Sequence, residues 1–245
     1  MSVFDFKYFS LSHSKSTIKI GTDSVLLASV VPVGQISSLL DIGCGCGVIS
    51  FCLAHKMALS DKMTKQQITG IDIDKNSVEE AQNNLFNFPK KQNQYIDFQL
   101  IKLQEFSQNS FSKFDLIVSN PPYFTNSLKP THIERSKGRH RDNNLSFNDL
   151  IEGVCHLLKE EGLFYLILPP TEQEEFNHLI SGKLFLNSSM NIYPNPKKGI
   201  NRIISSYSLK KPDQIVHSKL TIRDENNNFS EEYKKLTSEF YLKLK

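Results

Sequence analysis

Three glycines at alternate positions, Gly43, Gly45 and Gly47, join an apolar run to an apolar helix start. Ser38-Leu39-Leu40-Asp41-Ile42 reads as a buried strand, and Val48 to Ala54 reads as the first turns of a helix. Glycine lets the main chain adopt turns closed to other residues and come close to a ligand. The helix that follows carries a partial positive charge and free N–H groups at its amino end, which suit a carboxylate or phosphate. Strand, glycine turn and helix together predict an α/β protein with a small-molecule site at the strand's carboxyl end.

The rest of the chain keeps to that plan. Strands are expected at 68–72, 95–101, 114–118, 163–168, 184–192 and 201–209, which with 38–42 makes seven. Between them lie helical stretches. One carries Val78, Ala81, Leu85 and Phe88 on a single face. Another starts at Ser146, with a capping box to Asp149, and is expected to end at Gly162. Thr171 and Glu174 repeat the capping-box spacing, and Thr22 or Asp23 is placed to cap a short helix. Residues 1–20 suggest short strands or a hairpin, and a polar tail ends in a helix from about Ser230 to Leu242. Strands alternating with helices predict a mostly parallel sheet covered on both faces. No repeat or linker divides the chain, so 1–245 is expected to be one domain: an N-terminal segment 1–37, a core 38–210 and a tail 211–245.

The fourth strand, Phe114 to Val118, runs into Ser119-Asn120-Pro121-Pro122-Tyr123. Two prolines supply no N–H, so the ladder stops there, and each pushes its predecessor into extended geometry. A stiff corner results, bearing an amide oxygen from Asn120, a main-chain carbonyl from Pro121 and an aromatic face from Tyr123. Such a set can grip a planar group that carries an NH₂. The plain alternative is a structural diproline turn.

Some chemistries are excluded early. Cys44-Gly-Cys46 lacks the paired spacing of a zinc site, and the four cysteines read as buried thiols of a reducing compartment. Asp5 stands where a signal peptide would be apolar, and no run of 18 apolar residues occurs. A cytoplasmic protein without a membrane segment is expected, and a monomer.

The nicotinamide fingerprint would need a third glycine at position 48, which is Val48. The loop instead reads D-x-G-x-G-x-G, with Asp41 leading, and it resembles that of S-adenosylmethionine-dependent methyltransferases. The resemblance implies a Rossmann-like class I methyltransferase fold, a cofactor held by Asp41, Gly43, Gly45 and Gly47, and a ribose contact from Asp72 at the second strand's end. The acid that often meets the adenine ring after the third strand is replaced here by Lys102. The N-P-P-Y segment resembles the catalytic corner of enzymes that methylate planar nitrogens, which assigns Asn120, Pro121, Pro122 and Tyr123 to the substrate. A methyl on a sulfonium sulfur needs no metal to activate it, so none is expected.

Further segments narrow the resemblance. Lys19-Ile-Gly-Thr-Asp-Ser-Val-Leu-Leu, Leu220-Thr-Ile-Arg, Phe229-Ser-Glu-Glu-Tyr and Phe240-Tyr-Leu, with the two core motifs, resemble the bacterial family that methylates N6 of the adenine 3′ of the anticodon (position 37) in a valine tRNA. That implies tRNA as partner and places Thr22 and Asp23 close to the cofactor. The stretch from Phe124 to Ser146 has no clear period and holds Lys129, Arg135, Lys137, Arg139 and Arg141 against Glu134 and Asp142. Its surplus of three positive charges equals the chain's net +3, so the basic excess leaves the diproline corner directly. Lys197, Lys198, Arg202, Lys210 and Arg223 are candidates to extend that surface. Rival readings are a protein-glutamine methyltransferase, set back because only 40 residues precede Asp41, a ribosomal-RNA guanine methyltransferase, and a non-catalytic RNA-binding scaffold.

Replacing Arg135, Arg139 and Arg141 together with alanine is expected to weaken tRNA binding and flatten its salt dependence. An affinity titration over a range of salt checks this, and an unchanged slope removes the stretch from the RNA surface.

Overall fold

The computed structural model describes residues 2–16, 19–34, 36–59, 64–122 and 145–242. A hairpin of β1 (Val3–Asp5) and β2 (Ser10–Ser12) precedes α1 (Thr22–Val30). The sheet and its covering helices follow as β3 (Ser38–Ile42), α2 (Val48–Leu59), β4 (Gln66–Asp72), α3 (Lys75–Asn87), β5 (Gln94–Leu100), α4 (Leu103–Asn109) and β6 (Phe114–Ser119). The chain continues as α5 (Phe147–Leu157), β7 (Leu158–Leu168), α6 (Pro170–Leu179), β8 (Phe185–Tyr193), β9 (Arg202–Ser208), β10 (Val216–Thr221) and α7 (Glu231–Thr237).

Among the described residues eight strands form one sheet in the order β10-β8-β9-β7-β6-β3-β4-β5. Only β9 runs antiparallel to its neighbours. Successive residues of the central strands enter opposite cores. In β3, Leu39 faces the core of α1, α2 and α3, and Leu40 faces that of α4, α5 and α6. In β7, Tyr165 and Ile167 join the first core, and Phe164, Leu166 and Leu168 the second. Burial on both faces is why these strands read as continuous apolar runs.

The sheet has one strand more than the seven expected. β10 is exposed at four of its six residues, so no apolar alternation marks it. It is an edge strand, and Lys219 sits on it as charges commonly do on such edges. A second difference lies at the α5 boundary. The capping box of Ser146 and Asp149 forms, but α5 ends at Leu157 and β7 begins at once. Gly162 is thus a strand residue and not a helix terminator. A Cβ there would fall 3.0 Å from the Phe114 carbonyl oxygen, so glycine permits close approach of β7 to β6. Helix α6 starts with Pro169 as N-cap and Pro170 in its first turn, and the expected box at Thr171 is absent. Helix α1 is preceded by Gly21 and lacks a side-chain cap.

Both chain ends pack on the first core. Phe6, Leu11, Tyr233 and Phe240 are all buried in it, and the Lys7 N–H donates to the Phe240 carbonyl (2.8 Å). The segment after β2 is stitched to α3. Buried Glu80 accepts from the Ser12 hydroxyl (2.8 Å) and the Ser16 N–H (2.8 Å). Asn84 Nδ2 donates to the Ser12 and Cys46 carbonyls. This brings residues 12–16 against the glycine turn. Among the described residues no helix is long and apolar enough to cross a membrane.

Candidate active site

The chain reverses direction across the sheet at β3 and β6. From β3 it steps outward to β4 and β5, then returns to β6 on the other side of β3. The carboxyl ends of β3 and β6 therefore open a crevice at the switch point, the usual ligand position in such sheets. Ser119 sits opposite Ile42, and its hydroxyl donates to the Ile42 carbonyl (2.9 Å), locking the two ends together. The glycine turn leaves one strand and Asn120-Pro121-Pro122 leaves the other. Both line a cavity of about 770 Å³.

Gly43, Gly45 and Gly47 all have positive φ, at 72°, 56° and 87°. A side chain at Gly47 is barred twice, since a Cβ would also lie 2.7 Å from the Phe51 ring and 2.9 Å from Phe98. Gly43 and Gly45 line the cavity, while Gly47 stands behind it against those rings. The intervening thiols are buried, and burial pushes Cys46 up to about 12, so they remain neutral packing groups.

Asp72, at the end of β4, lines the cavity. Its Oδ2 accepts the Gly45 N–H (2.8 Å) and its Oδ1 accepts the Asp74 N–H (2.9 Å). The same carboxylate therefore shapes the glycine turn and faces the space beside it. Each oxygen keeps a further lone pair for a ligand hydroxyl.

Asp41 is placed otherwise than the sequence suggests. It is fully buried beneath the turn and does not line the cavity. Its Oδ2 accepts from Ser50 N–H (3.1 Å) and Ser50 Oγ (2.7 Å) in the first turn of α2, and its Oδ1 has no partner among the described residues. Burial is the larger influence on this carboxyl and pushes it up to about 7, against the pull of the Ser50 donors. Asp41 ties strand to helix under the glycines.

Thr22 and Asp23 also depart from expectation. They line a neighbouring pocket, where Asp23 pairs with Arg202 (2.8 Å). The next residue, Ser24, is the one that enters the cavity, and its hydroxyl accepts a hydrogen bond from Asn120 Nδ2 (3.0 Å). Nothing in the sequence flags Ser24, which lies 96 positions from its partner. Lys19 and Ile20 line the cavity as well. At its far end are Ile101, Lys102 and Leu103, so Lys102 occupies the wall where the resemblance would put an acid. Tyr123, Lys129, Arg135, Lys137, Arg139 and Arg141 lie outside the described residues. Lys210 is at the opposite, amino edge of the sheet, paired with Glu160 (2.9 Å), and leaves the set of surface candidates.

A family profile described as a methyltransferase domain matches residues 36–227. A protein of Pseudoalteromonas translucida named tRNA1(Val) (adenine(37)-N6)-methyltransferase is 36% identical over 245 residues, covering 100% of both chains. One of the same name from Bacteroides fragilis is 34% identical over 242 residues, covering 98% of both. Among solved structures, a predicted O-methyltransferase of Agrobacterium tumefaciens superposes with a TM-score of 0.67 at 16% identity, over 89% of this chain and 96% of that one. The T. thermophilus 16S rRNA N2 G1207 methyltransferase, solved with AdoMet and guanosine, gives 0.56 at 17% identity, over 85% and 50%. These two likenesses concern the fold.

The Asp41 geometry has a pH consequence. Its folded pKa of about 7 exceeds the unfolded value near 3.8, so the folded chain holds the proton more tightly. Stability from this group is fully present at low pH and is lost as pH rises through about 7. Thermal midpoints of the wild type and Asp41→Asn, compared from about pH 4.5 to 8, are expected to shift in favour of the variant as pH rises. A difference independent of pH would contradict this.

Proposed function

The chain belongs to the tRNA1(Val) (adenine(37)-N6)-methyltransferase family of class I methyltransferases, and on that premise we propose which of its residues carry the reaction. The activity is S-adenosylmethionine-dependent methylation of a valine tRNA at N6 of adenine 37. One observation supports the site assignment above the others. The Asn120–Pro122 corner and the glycine turn with Asp72 are walls of the same cavity at the switch point.

That cavity fits a nucleoside bearing an amino-acid arm. Its volume lies within the range of small-molecule sites, roughly 300–1,000 Å³. Gly43 and Gly45, beside the amino end of α2, suit the amino-acid arm, and Asp72 suits the ribose hydroxyls. Ile71, Ile101 and Leu103 offer an apolar bed for a flat base. S-adenosylmethionine supplies a methyl on a sulfonium sulfur, an electrophile without further activation.

The protein's task is then the amine. An exocyclic amine on adenine is a poor nucleophile because its lone pair is delocalised into the ring. Two acceptors, Asn120 Oδ1 and the Pro121 carbonyl, would hold its hydrogens and direct the lone pair to the methyl. Ser24 matters because an amide has two ends. With Nδ2 donating to the Ser24 hydroxyl, the oxygen is the end left for the substrate. Alignment and fixed dipoles of this kind are the main contributions expected from the protein. Tyr123 is proposed to stack on the base, which contributes roughly 1–3 kcal/mol. A base in a folded RNA must be splayed out to enter.

Labelled S-adenosylmethionine incubated with the protein and total cell extract tests the reaction. Label lost only to ribonuclease and recovered as N6-methyladenosine is expected. Label lost to protease would select a protein substrate, and no label would remove the enzymatic reading. Asn120→Ala should lower transfer at least about a hundredfold with cofactor affinity nearly intact. Ser24→Ala should lower kcat about tenfold or more, leave the KM for cofactor unchanged, and be partly restored by Ser24→Thr. A large loss of cofactor affinity in either variant would reassign both residues to the cofactor.

A further inference from the structure

A second pocket, of about 640 Å³, adjoins the catalytic cavity across the first turn of α1. Ser24 faces one and Thr22 and Asp23 face the other. Both open on the same edge of the sheet. β8 and β10 are parallel to each other and end there, and antiparallel β9 begins there, with Arg202 opposite Ile192.

Segments that the catalytic site does not absorb converge on this pocket. The Gly21-Thr22-Asp23 turn, Ile222-Arg223 and the aromatic residues Phe229 and Tyr233 all line it. Its charge is lopsided, with Lys198, Arg202 and Arg223 against Asp23. The two guanidinium groups are held in place. Arg202 Nε donates to Asp23 Oδ2 (2.8 Å) and its Nη1 to the Asn201 carbonyl (2.7 Å). Arg223 lies 4.2 Å over the Phe229 ring, and its Nη1 donates to the Asn227 carbonyl (2.7 Å). Asn227 is the only described non-glycine residue with positive φ, at 63°, so the turn that braces Arg223 holds an uncommon backbone shape.

We propose that this pocket binds a backbone phosphate of the substrate RNA, close to the nucleotide whose base enters the catalytic cavity. Arg223, braced by the Phe229 ring and the Asn227 carbonyl, presents guanidinium donors that match phosphate oxygens, and holding it beforehand lowers the entropy lost on binding. The pocket's position on the same sheet edge lets one strand of RNA reach both sites. The inference rests on the tRNA-methylating reading and adds to it a fixed contact outside the catalytic cavity.

The double variant Lys198→Ala/Arg223→Ala, which leaves the Asp23–Arg202 pair intact, tests it with in vitro-transcribed valine tRNA. The KM for tRNA should rise about tenfold, and the slope of log affinity against log salt should fall by about 1 to 2. Cofactor affinity and kcat at saturating tRNA should stay within about twofold of wild type. Unchanged KM and slope in a folded, cofactor-binding double variant would overturn the proposal while the functional reading stands. If the double variant does not fold, exposed Lys198→Glu serves in its place. A raised KM for tRNA with a shallower salt slope then supports the phosphate site, and no change in either removes it. Wild-type protein that transfers no methyl to tRNA would overturn the functional reading and this proposal with it.

Discussion

The pairing of β3 with β6 is the constraint from which the site follows. Two strands remote in sequence are set side by side, and the Ser119 hydroxyl bridges their ends through the Ile42 carbonyl. Each strand then stops for its own reason. One meets a turn whose three positive φ angles strongly favour glycine. The other meets two prolines that cannot continue a ladder. Because both stops fall at the same height, a cavity opens between them with a ligand-shaping turn on one wall and a rigid acceptor corner on the other.

Around this crevice the polar groups are arranged in pairs of duties. Asp72 buttresses the Gly45 amide while facing the cavity. Asp41, below it, gives up any contact with the cavity and joins β3 to α2 through Ser50. Asn120 donates its Nδ2 to the Ser24 hydroxyl, which fixes which end of the amide is the donor. For Asp72 the hydrogen bonds that hold the side chain also decide which lone pairs remain facing the cavity.

Much of this is legible in the sequence, for identifiable reasons. Strands buried on both faces announce themselves as apolar runs, and β3, β4, β6 and β7 can be placed from them. The glycine turn and the diproline corner are legible because covalent geometry, not environment, dictates what they do. β10 is not, since an edge strand with four exposed residues has no hydrophobic period to read. The α5–β7 junction misleads because Gly162 looks like a helix stop and is in fact a point of close strand approach. Site residues supplied by long-range contact are beyond reach. Sequence patterns point to Thr22 and Asp23, but a helix turn decides which neighbour faces inward, and that neighbour is Ser24. The role of Asp41 is visible as a motif position but not as a buried one.

Helix α1 is short and enclosed at its middle: Val25, Leu26, Leu27 and Ala28 are each 0–1% exposed. Sliding it along its axis would pull four apolar side chains out of register with the core, so its amino end is effectively immovable. That end separates the two pockets. The span between them is therefore a built-in gauge: if the second pocket holds a backbone phosphate as proposed, an RNA would be accepted for the spacing of its backbone around an extruded base as much as for the base itself.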